Sequence, residues 1–298
     1  MKEITLQARD GYALSLAVFE SKKAAATIQM VHGMEEHKER YYPFCEFLAQ
    51  NGFNAVISDL RGHGSSAPVL SHIADENGDA LLLSDQRQIT DRIAELFPDV
   101  PVMLFAHSMG TIITRVLLQT DSRRYARAAL SGYVNPNPAG QAAVVLGNFS
   151  LRLRGPRNHS PILNRLALGP YAQSIKNRKT DLDWLSYNED NVRAYIADPL
   201  CGAEFTVASF CALFQLLSQM GRADAYRDVK TDLPILLIAG KDDPCTGGEK
   251  GREASRATLA RAGFADISVI TYDGMRHEIL NETEHQKVYQ DLLSFFRS

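Results

Sequence analysis

Short apolar runs alternate with amphipathic stretches along most of this chain. Six runs are typical of strands buried on both faces: Ala26–Val31, Asn54–Ser58, Val102–Ala106, Ala128–Ser131, Ile235–Ala239 and Ile267–Thr271. Several stretches between them repeat apolar residues at helical spacing: Tyr41–Gln50, Leu82–Phe97, Met109–Gln119 and the region near Glu249–Ala262. This alternation predicts an α/β fold with a mostly parallel sheet and helices on both faces.

The two ends of the chain extend this pattern. Residues 1–20 alternate around the turn dipeptide Asp10-Gly11, which predicts a β-hairpin. A final helix has one apolar face, formed by Val288, Leu292, Phe295 and Phe296. The hairpin and the six buried runs together predict an eight-stranded sheet.

Residues 134–230 break the alternation. They open with the loop-forming residues Asn135-Pro136-Asn137-Pro138 and contain no obvious buried strand, although Phe205–Met220 has a helical pattern. We therefore predict three parts: a core segment at 1–133, a helical cap inserted at 134–230 and a second core segment at 231–298.

Composition and charge narrow the class of protein. With 298 residues, 45% of them hydrophobic, the chain can bury a large core. Its formal charge of −3 argues against nucleic acid as the main partner. Four scattered cysteines lack metal-ligand spacing and are typical of reduced thiols. Without an apolar leader or a long apolar run, the sequence predicts a soluble cytoplasmic protein.

The cap has an uneven distribution of charge. Between Gln141 and Thr180 there are seven basic residues and no acid: Arg152, Arg154, Arg157, Arg165, Lys176, Arg178 and Lys179. The segment from Asp181 to Glu204 then holds six acids and one base. Either the two halves neutralise each other as solvated faces, or the basic half rests on an anionic lipid surface.

A candidate nucleophile follows one of the buried strands. Ser108 lies in Ala106-His107-Ser108-Met109-Gly110, between the strand Val102–Phe105 and a helical pattern. A reactive serine on a sharp strand-to-helix turn needs small neighbours, a base and backbone donors for the oxyanion. The pentapeptide alone is equally consistent with an ordinary serine at such a junction.

The remaining catalytic groups should follow in the order serine, acid, histidine. His277 lies in the loop directly after the last predicted strand, and Asp243 lies in the loop after the strand before it. Asp243 is preferred to Asp242 because it lies farther into the loop. His32, His63 and His107 adjoin glycine turns, which indicates structural or pocket-lining roles. The others lie in polar stretches and are interpreted as surface residues: His37, His72, His159 and His285.

The early strand that ends in His32-Gly33 predicts the oxyanion site. Its turn directs the backbone N–H of Met34 toward Ser108, and the N–H of Met109 is the expected second donor. We expect His32, Gly33 and His107 to contact the substrate.

Longer stretches around these residues carry a family resemblance. They are "VHGMEEHKERYYPFCEFLAQNGFNAVISDLRGHGSS", "FAHSMG", "GKDDPC", "YDGMRHEILNE" and, in the cap, "RKTDLDWLSYNEDNVRAYIADPLCG". The chain resembles the α/β-hydrolase superfamily, in particular its monoacylglycerol lipase and lysophospholipase branch, grouped as serine aminopeptidase S33 hydrolases. The departures are Ala106 in the nucleophile motif and Cys245, where such loops often carry valine.

The resemblance implies an α/β-hydrolase fold and hydrolysis of the ester of a single-chain lipid, with a cap that shapes an apolar tunnel. Ser108, Asp243 and His277 would form the triad, without a metal or organic cofactor. The partner would be an acyl ester or lipid. One alternative is an aminopeptidase or amidase, for which Glu204 or Asp198 would bind the substrate amine. Another is a ligand-binding protein without catalysis, which should have lost a triad member.

Overall fold

The computed structural model describes residues 1–136 and 140–298 and contains one mixed sheet. Asn137 and Pro138 of the predicted loop lie outside the described residues. The strands are β1 (Lys2–Gln7), β2 (Ala13–Phe19), β3 (Thr27–Val31), β4 (Asn54–Ser58), β5 (Val102–His107), β6 (Ala128–Ser131), β7 (Ile235–Gly240) and β8 (Ile267–Tyr272). Their order across the sheet is β1-β2-β4-β3-β5-β6-β7-β8. Only the β1–β2 and β2–β4 pairs are antiparallel, so the prediction of a mostly parallel eight-stranded sheet is confirmed.

Helices cover both faces of this sheet. In the described residues they are α1 (Tyr42–Gln50), α2 (Gly78–Leu96), α3 (Met109–Asp121), α4 (Gly140–Arg154), α5 (Pro161–Ser174), α6 (Glu189–Ala197), α7 (Val207–Met220), α8 (Gly248–Arg261) and α9 (His285–Arg297). Successive residues of β5 face opposite sides, so Leu104 joins the core with α2 and α3, whereas Phe105 joins the core with α1 and α9. Both side chains are fully buried.

Helices α2 and α7 begin a few residues away from the positions that their apolar patterns predict. Helix α2 starts at Gly78 rather than Leu82, because Gly78 packs against Ile73 and Ala212 without contributing an apolar side chain. Helix α7 starts at Val207 because the hydroxyl of Thr206 accepts a hydrogen bond from the N–H of Ser209 and caps the helix.

Helices α4 to α7 lie between β6 and β7 in the chain, within the predicted cap. Phe210 and Leu216 of α7 are fully buried in the same apolar cluster as α2 and α3, so this part of the insertion shares the core of the sheet. The boundaries of the cap at 134 and 230 stay a prediction. No helix in the described part of the chain is both long and apolar enough to cross a bilayer.

Candidate active site

Ser108 occupies a tight turn between β5 and α3. Its backbone has φ 51° and ψ −120°, a conformation that L-residues rarely adopt and that functional sites often contain. Gly110 permits this turn, since a Cβ there would lie 2.2 Å from the carbonyl oxygen of Val31. Ala106 is fully buried within β5, two residues before the turn. The sharp strand-to-helix geometry therefore forms with alanine at that position.

The side chains of Ser108, His277 and Asp243 form one hydrogen-bonded chain. His277 Nε2 lies 2.8 Å from Ser108 Oγ, and His277 Nδ1 lies 3.1 and 3.0 Å from the two carboxylate oxygens of Asp243. Asp243 also accepts a 2.9 Å hydrogen bond from the N–H of Cys245, which fixes its carboxylate. With a proton on Nδ1 facing Asp243, Nε2 is free to take the proton of Ser108.

Burial and charge have opposite effects on His277. Burial would lower the pKa of its imidazole, but the carboxylate of Asp243 raises it, and the net result is a pKa well above the usual range. Cys245 adjoins the ring as well. Burial raises the pKa of the Cys245 thiol to about 11, so the thiol is uncharged near neutral pH. We therefore assign the raised pKa of His277 to Asp243.

Met34 and Met109 both border the cavity in front of Ser108. Met109 is the first residue of α3, where free backbone N–H groups and the helix dipole favour negative charge. Gly33 is needed beside this loop, because a Cβ there would lie 2.5 Å from Glu36 Oε1 and 3.0 Å from Ser108 Cβ. The placement of Met34 and Met109 beside the cavity supports the prediction that their backbone N–H groups are the oxyanion donors, and this role is a proposal.

The three residues expected to contact the substrate lie in different places. His107 borders the cavity, with its ring 4.7 Å from that of His277. His32 is fully buried, and its ring nitrogens lie 2.8 Å from the carbonyl of Gly33 and 2.9 Å from the N–H of Leu60. His32 and Gly33 are not among the cavity-lining residues, although Gly33 lies beside Ser108, and their contact with a substrate stays a prediction. They shape the turn that follows β3.

His37 departs from the expectation of a surface histidine. Its ring contacts Glu39 through Nδ1 and Asp198 through Nε2, the latter at 2.9 Å, and only 5% of the residue is exposed. The expectation was wrong because it rested on the polar neighbours of His37 in the chain. The cap residue Asp198, distant in sequence, covers the ring.

An ion-pair network joins the loop of Met34 to the residue after His277. Arg40 donates hydrogen bonds of 2.7 Å to each carboxylate oxygen of Glu278 and one of 3.0 Å to Glu36. Glu36 also accepts from the N–H of Gly33 at 2.6 Å and from the hydroxyl of Tyr41 at 2.7 Å. Although burial opposes ionisation, Arg40 lowers the pKa of Glu278 to about 2. The network ties the loop of Met34 to the loop of His277.

Sequence reasoning missed the aromatic cover of the site. The ring of Trp184, in a short 3-10 turn of the cap, lies 4.9 Å from the ring of His277 and 5.2 Å from that of Tyr171. Trp184 is the single tryptophan of the chain and stands in an acid-rich segment, where a buried aromatic residue is unusual. This isolated tryptophan was the one feature of the sequence that could have indicated an aromatic residue over the site.

A cavity of about 540 Å³ opens in front of Ser108. Most of its wall is apolar and comes from the cap, with Ala143, Leu146, Ala167, Leu213, Phe214 and Leu217 among its members. Glu35, Glu36 and Glu278 form part of the wall on the core side. The site thus pairs a serine that is hydrogen-bonded to histidine with a mainly apolar cavity, which suits an acyl chain.

Two groups of three side chains in the described residues could each surround one metal ion. One is Asp243, Cys245 and His277, which includes two members of the triad. The other is His37, Asp198 and Cys201, at the boundary of core and cap.

The family model described as "Serine aminopeptidase, S33" matches residues 22–284. The chain belongs to this family. It is similar to the monoacylglycerol lipase of Mycolicibacterium smegmatis, with 27% identity over 91% of this chain and 88% of that protein. The human monoglyceride lipase is 29% identical over 86% of this chain and 77% of that protein.

Solved structures agree with this assignment. A thermostable carboxyl esterase from Bacillus coagulans, in complex with glycerol, superposes with a TM-score of 0.90 and 22% identity, covering 99% of this chain and 97% of that chain. At this identity the likeness concerns the fold alone. The resemblance to α/β-hydrolases of the monoacylglycerol lipase type, predicted from the sequence, is confirmed.

Proposed function

We propose that this serine ester hydrolase cleaves the carboxylic ester of single-acyl-chain lipids through an acyl-enzyme on Ser108. One observation carries the proposal: Ser108 Oγ lies 2.8 Å from His277 Nε2 beside a mainly apolar cavity of about 540 Å³. The names of the lipases and esterases that the chain resembles support the same class of substrate.

In the first step, His277 Nε2 accepts the proton of Ser108 while Oγ attacks the ester carbonyl carbon. The N–H groups of Met34 and Met109 stabilise the resulting oxyanion. As the ester C–O bond breaks, His277 gives its proton to the leaving alcohol, and Asp243 stabilises the imidazolium in between. His277 then deprotonates a water molecule that attacks the acyl-enzyme, which releases the fatty acid and restores Ser108.

Aminopeptidase chemistry is not favoured. Neither Glu204 nor Asp198, the acids expected to bind a substrate amine, is among the cavity-lining residues, and Asp198 pairs with His37. Glu35 does border the cavity, but burial raises its pKa to about 8, so its carboxyl is neutral near pH 7. A neutral acid attracts a substrate ammonium group only weakly. A binding protein without catalysis is disfavoured too, since all three triad members are present.

A panel of substrates tests this proposal. We expect hydrolysis of monoacylglycerols, lysophospholipids or p-nitrophenyl acyl esters, with kcat/KM rising with acyl length as more of the apolar wall is contacted. A proline anilide should be cleaved far more slowly. Faster cleavage of the anilide than of every ester would overturn the choice of substrate class and leave the triad in place.

We also propose that the cap docks on anionic lipid surfaces. Val145, Phe149 and Leu153 recur every four residues on α4 and are 70%, 59% and 69% exposed. Arg152 and Arg154 are exposed on the same helix, and no carboxylate in the described residues pairs with them. An exposed apolar face beside unpaired positive charge matches a bilayer with anionic headgroups.

Vesicle binding tests the docking proposal. Replacing Arg152 and Arg154 by alanine should weaken binding to phosphatidylglycerol vesicles by about tenfold or more, at about 1 kcal/mol for each residue. Arg157→Ala is the matched control, because Asp75 already neutralises Arg157 through two 2.9 Å hydrogen bonds. Equal losses in the control, or none in the double variant, would contradict docking through this face.

A cytoplasmic location is a further proposal. The four cysteines, Cys45, Cys201, Cys211 and Cys245, are all free thiols, which suits a reducing compartment. Fractionation of the source cells should recover the protein with the cytoplasm; recovery from an oxidising compartment would contradict this.

A further inference from the structure

A second cluster of reactive side chains lies between core and cap, away from Ser108. It comprises His37 from the core and Asp198 and Cys201 from the cap, whose ligand atoms all lie within 4.8 Å of one another. His37 is three residues beyond Met34, so the cluster adjoins the loop that carries a proposed oxyanion donor. The proposed ester hydrolysis makes no use of these groups.

The orientation of His37 matches that of a metal-binding histidine. Glu39 holds its Nδ1, and Nε2 points at Asp198 Oδ2 over 2.9 Å. Histidine ligands in metal sites commonly give one ring N–H to a carboxylate, which fixes the tautomer and directs the other nitrogen to the ion. Here Glu39 is that carboxylate. The ring is buried, so its position is well constrained.

The cap side of the cluster is equally well fixed by hydrogen bonds. The N–H of Leu200 donates to Asp198 Oδ1 over 2.9 Å, which leaves Oδ2 toward His37. The N–H of Cys201 donates to the carbonyl of Asp198 over 3.1 Å, and the N–H of Gly202 donates to the carbonyl of Glu35 over 2.9 Å. One turn therefore presents a carboxylate and a thiol to His37.

The charges around the cluster favour a cation at its centre. The carboxylates of Glu39 and Asp198 contact the ring of His37, and the thiol of Cys201 lies beside it. Neighbouring cations are already paired: Lys38 lies 2.8 Å from Glu39 and 2.9 Å from Asp59, and Arg40 is paired with Glu278.

We propose that His37, Asp198 and Cys201 form a binding site for a thiophilic divalent cation such as zinc. Nε2 of His37, the carboxylate of Asp198 and the thiolate of Cys201 would be the protein ligands, with a water molecule as the fourth. Both Nε2 of His37 and the sulfur of Cys201 must be free of protons to bind the ion, so binding is favoured by higher pH. Zinc bonds of about 2.0–2.3 Å would draw the three ligand atoms slightly closer together.

Such an ion would connect the core to the cap. His37 belongs to the segment that follows β3, whereas Asp198 and Cys201 follow α6. A bond through the metal would restrain the cap relative to the loop of Met34 and stabilise the folded state, since the ligands are brought together only by folding. The metal would have a structural and regulatory role, outside the acyl transfer.

Titration of the metal-free protein with Co²⁺ tests the site, because a cobalt–thiolate bond gives a charge-transfer band in the near ultraviolet. We expect one Co²⁺ per chain, displaced by Zn²⁺, and a higher Tm with either ion. Cys201→Ser should remove the band, weaken Zn²⁺ binding by about tenfold or more and abolish the rise in Tm. Cys211→Ser is the matched control, since Cys211 is a half-buried thiol outside the cluster.

A second variant separates this site from the triad. Cys245→Ser removes the thiol beside His277. A metal bound at that place would occupy His277 and so also block the reaction of Ser108 with a fluorophosphonate. We expect the band and the Tm rise to persist in Cys245→Ser. Loss of the band in Cys245→Ser but not in Cys201→Ser, or no band in the unaltered protein, would overturn the proposal. Neither result bears on ester hydrolysis, which is assayed without metal.

Discussion

The core and the cap contribute to the candidate site in different ways. Each residue of the proposed triad lies shortly after the carboxyl end of a strand: Ser108 directly after β5, Asp243 after β7 and His277 after β8. Trp184 reaches the same imidazole from a 3-10 turn of the cap, and Tyr171 of α5 packs against Trp184. The core places its groups through sheet topology, whereas the cap places its groups through side-chain packing.

This difference indicates separate roles for the core and the cap. Parallel strands bring their carboxyl ends to one edge, so the position of the triad depends on hydrogen-bonded strand pairs. The cap supplies most of the apolar wall and the aromatic cover. We therefore expect core substitutions at the triad to remove the chemistry, and cap substitutions to change its efficiency.

The largest effect should come from Ser108→Ala. It removes the attacking oxygen, so turnover of a p-nitrophenyl ester should fall by about 10⁴-fold or more, and labelling by a fluorophosphonate should disappear. Ser131→Ala is the matched control, because Ser131 ends the neighbouring strand β6 and its buried hydroxyl has no partner in the described residues. Comparable activity in both variants would refute the division between core and cap.

Asp243→Asn should have the next largest effect. Asparagine cannot stabilise the imidazolium of His277, so kcat should fall by about 10³–10⁴-fold. Asp243 raises the pKa of His277, so activity in the unaltered enzyme should be lost as pH falls through a value above about 6.5. In Asp243→Asn this loss of activity on the acidic side of the pH profile should occur at a lower pH.

The neighbouring carboxylate provides the control for that prediction. Asp242 contacts the hydroxyl of Tyr187 at 3.0 Å and not His277, so Asp242→Asn should retain activity within a few-fold, with an unchanged pH profile. If the loss of activity at low pH shifted in Asp242→Asn, or did not shift in Asp243→Asn, the assignment of Asp243 as the acid partner of His277 would be wrong. The measurement is kcat/KM across pH for all three proteins.

A smaller effect is expected at Trp184. Replacing it with alanine removes the ring beside His277 and should lower kcat/KM by about tenfold through looser positioning of the imidazole. Trp184→Phe, which keeps an aromatic ring, should recover most of the activity. Thermal unfolding of both variants distinguishes this from a loss of folded protein. A loss as large as that of Ser108→Ala would contradict a purely positioning role for the cap.

The sequence predicted the core better than the cap for physical reasons. The buried strands are contiguous apolar runs, so β4 and β6 begin and end at the predicted residues. The order of serine, acid and histidine follows from strand order, and the three groups are in contact. These features depend on local pattern and on topology.

The unpredicted features depend on contacts between distant segments. The burial of His37 arises from Asp198, and the network of Arg40 joins it to Glu278, yet neither pair shares a periodic pattern in the sequence. His32 was expected beside the substrate because it adjoins Gly33, but its ring is held by the carbonyl of Gly33 and the N–H of Leu60. Polarity along the chain does not reveal which polar groups the fold covers.

The most direct test of the proposed mechanism is to map the site of a covalent inhibitor. The enzyme is reacted with a fluorophosphonate, residual esterase activity is measured, and the modified peptide is identified by mass spectrometry. The arrangement of Ser108, His277 and Asp243 predicts one phosphonyl group per chain, on Ser108, with activity lost in proportion to its incorporation. A modified residue other than Ser108, or full activity with Ser108 completely modified, would contradict it.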